Sequence, residues 1–246
     1  MSNNEHSDKI QLVYIFPNLF TATSAFLGII SIIASANAQF EKAAVYILLA
    51  LVFDGLDGRV ARLVNATSKF GAEFDSLADI VAFGVAPAML FYFSVGHAYG
   101  KIGSLICAMF VVFGAIRLAR FNVMIGAVEP SVFIGVPIPT AAVVVAMWIL
   151  FYREYTCLVG FEWVMLVGMA FLSFLMVSHI RYPSFKKVDL KKANVVRILV
   201  VLVLFFSSVY LYPIEAGMAL VSGYLLYGIV RAIYTLFIAK FRKNSV

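Results

Sequence analysis

The chain has 246 residues, 63% hydrophobic and 13% charged, with 19 Lys and Arg against 13 Asp and Glu. So little polar composition excludes a soluble domain of this length, which needs far more polar surface to cover its core. The apolar runs are continuous rather than alternating, which excludes a transmembrane β-barrel and leaves an all-α, polytopic transmembrane helical bundle in one membrane domain.

About eight spans are expected, at roughly 12–36, 43–64, 70–96, 102–121, 138–152, 160–180, 195–212 and 216–239. Each is near the ~20 residues that a helix needs to cross a bilayer. The first run ends at Ala36-Asn37-Ala38, which superficially resembles a signal-peptidase site. It is longer than a typical leader core of roughly 7–15 residues and has no basic flank, so it reads as a retained helix. The second span turns amphipathic at its end, and an aspartate-rich stretch straddles the short turn into the third. With the N-terminus inside, most Lys and Arg fall on that side, including Arg59, Arg62, Lys69, Arg117 and Arg120, against Lys42, Lys101 and Arg153 on the other. The positive-inside rule then puts both termini and the aspartates at the cytoplasmic face of an inner membrane. The basic stretch Arg181–Arg197 reads as a topological anchor or a headgroup contact. In the last span Ala219 and Gly223 form a small-xxx-small pair that suits either internal packing or dimerisation. Cys107 and Cys157 give no disulfide framework, and His6, His97 and His179 are too scattered for a zinc site. No nucleic-acid partner is expected.

Asp54, Asp57, Asp75 and Asp79 all fall in DGLDGRVARLVNATSKFGAEFDSLAD. Carboxylates beside a hydrocarbon core are costly and ordinarily face a bundle interior, pair, or serve function. Helical periodicity puts Asp54, Asp57, Gly58 and Ala61 on one face, and Gly71, Asp75, Asp79, Ala82 and Ala86 on another. Small residues on both faces predict close backbone approach, so that the carboxylates meet across a seam. Four converging carboxylates cannot all stay ionised without a cation. Oxygen ligands suit one or two Mg²⁺, Mn²⁺ or Ca²⁺ ions, and Mg²⁺ completes its shell with substrate phosphates, which points to phosphoryl chemistry. Gly58 and Gly71 leave room for a phosphate or ribose, and Arg62, Ser68 and Lys69 line the opening with positive charge and a hydroxyl.

The stretch resembles the signature of the CDP-alcohol phosphotransferase family, D-G-x-x-A-R followed by G-x-x-x-D-x-x-x-D. It reads Asp57-Gly58-Arg59-Val60-Ala61-Arg62, then Gly71, Asp75 and Asp79, with the leading Asp54 also present. The resemblance implies a two-metal centre of Mg²⁺ or Mn²⁺ on Asp54, Asp57, Asp75 and Asp79, with Asp79 also the base that deprotonates the attacking alcohol. It further implies that Gly58, Arg62 and Ser68 contact the CDP moiety, with Gly71 close by and Asn18 near the nucleotide. It suggests a homodimer.

Three local stretches, FDSLADIVAFGVAPA (74–88), RLARFN (117–122) and FIGVPIPTAA (133–142), are similar to the membrane-embedded bacterial branch of the family that uses serine. CDP-diacylglycerol and L-serine are the substrates that this implies. A six-helix catalytic core over 10–181 and two additional helices over 195–240 also fit that branch. Arg117 and Arg120, helped by Asn122, would bind the lipid phosphate or the serine carboxylate, with positive-inside anchoring as the equal alternative. Glycerol 3-phosphate as acceptor keeps the same chemistry. A cation transporter is the reading from a different class.

Overall fold

The structure is a computed structural model and describes residues 2–64, 68–124, 132–178, 180–183 and 195–243. Helices follow one another as α1 (Ser2–Ala36), α2 (Phe40–Leu63), α3 (Lys69–Asp79), α4 (Ala86–Ser94), α5 (Gly100–Val123), α6 (Ile138–Glu154), α7 (Glu162–Val177), α8 (Val195–Leu211) and α9 (Pro213–Lys243). Four stretches among the described residues are long and apolar enough to cross a membrane: Ile15–Ala36, Lys69–Ser94, Gly96–Val123 and Pro213–Arg231. Two shorter apolar helices, Glu162–Val177 and Leu199–Leu211, accompany them. The all-helical membrane bundle expected from the sequence is the fold observed.

In a bilayer, helix association gains little from burying apolar surface, because lipid tails are equally apolar; close packing of small residues does the work. On α1 the face that packs inward carries Thr21, Ser24, Gly28, Ser31 and Ser35, all buried, while Phe16, Leu19, Phe26, Ile29 and Ile33 point outward. The Ser31 hydroxyl donates to the Ala43 carbonyl on α2 at 2.8 Å, satisfying itself across the contact. α1 and α2 pack along most of their shared length. The rest of the core centres on α6, whose Ile138, Ala141, Val145 and Ile149 are fully enclosed. α7 packs on α5, α9 packs on α6, and α8 rests on α9. Side chains of α8 from Leu199 to Leu211 are exposed.

The third expected span departs from a uniform helix. Between α3 and α4 the chain widens into a π-helical turn over Ile80–Val85, in which the Ala86 N–H donates to the Val81 carbonyl. Pro87, in the first turn of α4, has no N–H for the carbonyl four residues back and its ring would press on it. The wider turn accommodates both defects, and such turns are frequent at functional sites. The backbone at Ala82 comes against Gly28 of α1 so closely that a Cβ on Gly28 would lie 2.7 Å from the Ala82 Cα.

A short antiparallel ribbon, not expected from the apolar runs, pairs β1 (Val132–Ile134) with β2 (Arg181–Pro183). Gly135 follows it at φ 74°, a left-handed conformation in which the Gly135 N–H donates to Ile180 O at 2.8 Å. A side chain there would collide with the Met176 carbonyl. Most of the basic stretch Arg181–Arg197 lies outside the described residues, as does His179.

Candidate active site

Residues of α1 around Asn18 and Thr21, the C-terminal half of α2 and the start of α3 converge on the aspartates. Carboxylate oxygens of Asp54, Asp57 and Asp75 all lie within 4.8 Å of one another. Asp79, one turn beyond Asp75, is within hydrogen-bonding reach of Asp54, and Asp57 and Asp75 form the corresponding pair. Three of the four expected carboxylates, those of Asp54, Asp57 and Asp75, therefore form one group, with Asp79 adjoining it through Asp54, but not across a tight seam. α2 and α3 barely touch each other; both lean on α1. The glycines and alanines between them border a cleft instead of a packed interface, because the carboxylates and whatever neutralises them need that space.

The cleft encloses about 290 Å³. Pro17, Asn18 and Thr21 line it from α1, Asp57, Gly58, Ala61 and Arg62 from α2, and Ser68, Gly71, Ala72 and Asp75 from the start of α3. Every residue expected at the nucleotide is among them. Gly58 is exposed, and a Cβ there would meet nothing nearer than the Arg62 guanidinium at 4.0 Å. Arg62 curls back, its Nε donating to the Gly58 carbonyl at 2.8 Å while the residue lines the cleft. Ser68 caps α3 by accepting from the Gly71 N–H at 2.9 Å, satisfying one of the amides that a helix start leaves open. A Cβ on Gly71 would sit 3.1 Å from the Ser68 Oγ and 3.2 Å from the Asn18 Oδ1, so glycine lets both polar groups close over the helix start.

The donor set suits a hard divalent cation. It consists of carboxylate oxygens only, and the Oδ1 atoms of Asp75 and Asp79 are buried without any hydrogen-bond partner among the described residues. Buried polar atoms are rarely left so, and anionic oxygens lacking a donor are what a cation would satisfy.

Arg117, Arg120 and Asn122 make separate contacts. Arg117 is buried at 6% exposure, its Nε has no hydrogen-bond partner among the described residues, and its charge interacts with Asp79 and with Tyr224 of α9. The Phe121 ring lies 5.7 Å from its guanidinium carbon. Arg120 donates to the Val177 and Ser178 carbonyls at 3.0 and 3.3 Å, which satisfies the open end of α7. Asn122 donates to the Ser76 Oγ at 2.8 Å and ties the end of α5 to α3. Thr21, absent from the sequence expectation, donates to Asp57 at 2.7 Å. Its one signal in the sequence is its place one helical turn after Asn18 on α1. Tyr224 had none, because its neighbour Arg117 is remote along the chain.

With the fold and the cleft defined, the class follows. The chain belongs to the CDP-alcohol phosphatidyltransferase family, whose model matches residues 14–175. It is 49% identical over 237 residues to the CDP-diacylglycerol–serine O-phosphatidyltransferase of Helicobacter pylori strain J99, covering 96% of this chain and 98% of that protein. The archaetidylserine synthase of Methanothermobacter thermautotrophicus is 37% identical over 71% of this chain and 72% of its own. The CDP-diacylglycerol–serine O-phosphatidyltransferase of Bacillus subtilis is 34% identical over 70% of this chain and 91% of its own.

Proposed function

We propose that the protein transfers the phosphatidyl group of CDP-diacylglycerol to the hydroxyl of L-serine, forming phosphatidylserine and releasing CMP. The observation that carries the choice of serine is the 49% identity, over nearly the whole of both chains, to a serine-using transferase. The serine oxygen attacks the lipid-bearing phosphorus, a P–O bond forms to it, and the P–O bond to CMP breaks on the opposite side. Asp79 takes the hydroxyl proton, a role that suits a carboxylate oxygen with no hydrogen-bond donor among the described residues. Asn18, Gly58, Arg62, Ser68 and Gly71 hold the CDP moiety, with the free edge of the Arg62 guanidinium against the diphosphate.

Asp54, Asp57, Asp75 and Asp79 would hold Mg²⁺ or Mn²⁺. Such ions supply charge neutralisation at the diphosphate and at the departing CMP. Arg117, buried, with an Nε that has no hydrogen-bond partner among the described residues and a charge that interacts with Asp79, is the residue for the acceptor carboxylate or the lipid phosphate. Arg120 and Asn122 act at one remove by holding the ends of α7 and α3. In this reading the protein is a homodimer of single membrane domains in the inner membrane. Residues 10–181 form its six-helix core, 195–240 add two helices, and the termini and cleft face the cytoplasm.

The test is CMP release by purified protein supplied with CDP-diacylglycerol and Mg²⁺ or Mn²⁺, comparing L-serine, glycerol 3-phosphate and inositol phosphate. Release stimulated by serine, with phosphatidylserine as product, is expected. Release with another alcohol only would keep the chemistry and overturn the acceptor. No release with any of them, from folded protein, would turn the aspartates toward ion transport.

A further inference from the structure

Thr21 lies on the buried face of α1, 3% exposed, where it lines the cleft between Asn18 and Asp57. Its Oγ1 is 2.7 Å from the Asp57 Oδ2 and 3.2 Å from the Pro17 carbonyl oxygen. A hydroxyl has one proton to donate, so these two acceptors compete. The shorter distance and the anionic acceptor favour Asp57. The Pro17 carbonyl does not depend on that proton, because the helix offers it the Thr21 backbone N–H. On the other side of the same carboxylate, Oδ1 accepts from the Gly58 backbone N–H.

Asp57 thus has a protein donor on each oxygen, whereas Asp75 and Asp79 each keep a buried Oδ1 with none among the described residues. The cluster is asymmetric, with one carboxylate fixed in direction by the protein and others left open. Each carboxylate oxygen has more than one lone pair, so Asp57 can accept from Thr21 and Gly58 and still ligate an ion. Groups that hydrogen-bond to a ligating side chain fix its orientation, and losing them weakens metal binding.

We propose that Thr21 is a positioning residue that fixes the Asp57 carboxylate and so pre-organises the divalent-ion site before either substrate arrives. This rests on the reading of the aspartates as an ion site. Thr21 touches no reacting atom and acts through Asp57.

The experiment measures Mn²⁺ binding to the purified full-length protein by electron paramagnetic resonance, with no CDP-lipid and no serine present. Thr21→Val keeps the shape and removes the hydroxyl, and it is expected to weaken Mn²⁺ binding by about 10–100-fold. Thr21→Ser keeps the hydroxyl and is expected to bind close to wild type. Thermal unfolding without metal, measured on the same preparations, separates a packing defect from a lost donor. Thr21→Ala supplies the comparison if the valine variant does not fold. Unchanged Mn²⁺ affinity in the variant lacking the hydroxyl would overturn the proposal, and so would equal losses in the valine and serine variants. A wild-type protein that binds no Mn²⁺ would instead remove the ion site itself, and Thr21's role with it.

Discussion

Gly28→Ala tests how the site is held. An added Cβ would lie 2.7 Å from the Ala82 Cα and 3.1 Å from the Ala82 N. Carbon atoms in ordinary contact are ~3.5–4.0 Å apart, so α1 and the π-helical turn must separate by about 1 Å. The obstructing atoms are backbone, so no side-chain rotation relieves the clash. Thr21 lies seven residues earlier on α1, about 10 Å along the helix, and Asp79 immediately precedes the π-turn. The displacement is therefore delivered to the cleft from both sides of the crossing. A misplacement of about 1 Å can cost about 100-fold in rate, and overpacking costs ~1–3 kcal/mol in stability. Serine-dependent CMP release at saturating substrates, with a melting curve on the same sample, measures both. Gly223→Ala, where an added Cβ meets nothing within 4 Å among the described residues, serves as the control and should match wild type. A folded Gly28→Ala protein with wild-type turnover would refute the claim that this crossing fixes Asp79 relative to α1.

Asp79→Asn should abolish turnover while largely retaining CDP-lipid binding; wild-type-like activity would take Asp79 out of the proton-accepting role. Chelation with EDTA should stop CMP release and Mg²⁺ or Mn²⁺ should restore it, whereas full activity after thorough chelation would sink the metal reading. Ser68→Ala removes the cap on α3 and should cost about 0.5–2 kcal/mol, read as a lower melting temperature. Arg117→Met should raise the KM for serine more than it lowers kcat, and an unchanged serine KM would place this arginine outside the acceptor site.

The bundle and the aspartate faces were legible in the sequence because both are local: an apolar run reports a span, and spacings of three and four report a helix face. The same locality explains what escaped. Periodicity put Asp57 and Asp75 on faces of adjoining helices but said nothing about α1 standing behind both, which is why a tight seam was expected where a cleft is found. Thr21 and Asp57 are 36 residues apart, and no pattern within either helix links them. Arg117 and Arg120 share a sequence face, yet one is buried with its charge interacting with Asp79 and the other caps α7, because the partner carbonyls of Arg120 lie 57 and 58 residues away. Pro87 was the visible warning of the π-turn, but the widened turn depends on what Gly28 permits across the helix contact.

The inverted packing of α1 separates two kinds of mutational tolerance along one helix. Outward positions such as Phe26, Ile29 and Ile33 are exposed on a helix long and apolar enough to span a bilayer, so they should accept almost any apolar volume and reject charge. Inward positions such as Ser24 and Ser31 should accept exchanges among Ser, Ala and Gly that change polarity and reject added bulk, and Gly28 should reject even alanine. A saturation library over this helix would then sort by volume on one stripe and by charge on the other, the two alternating with the helical period.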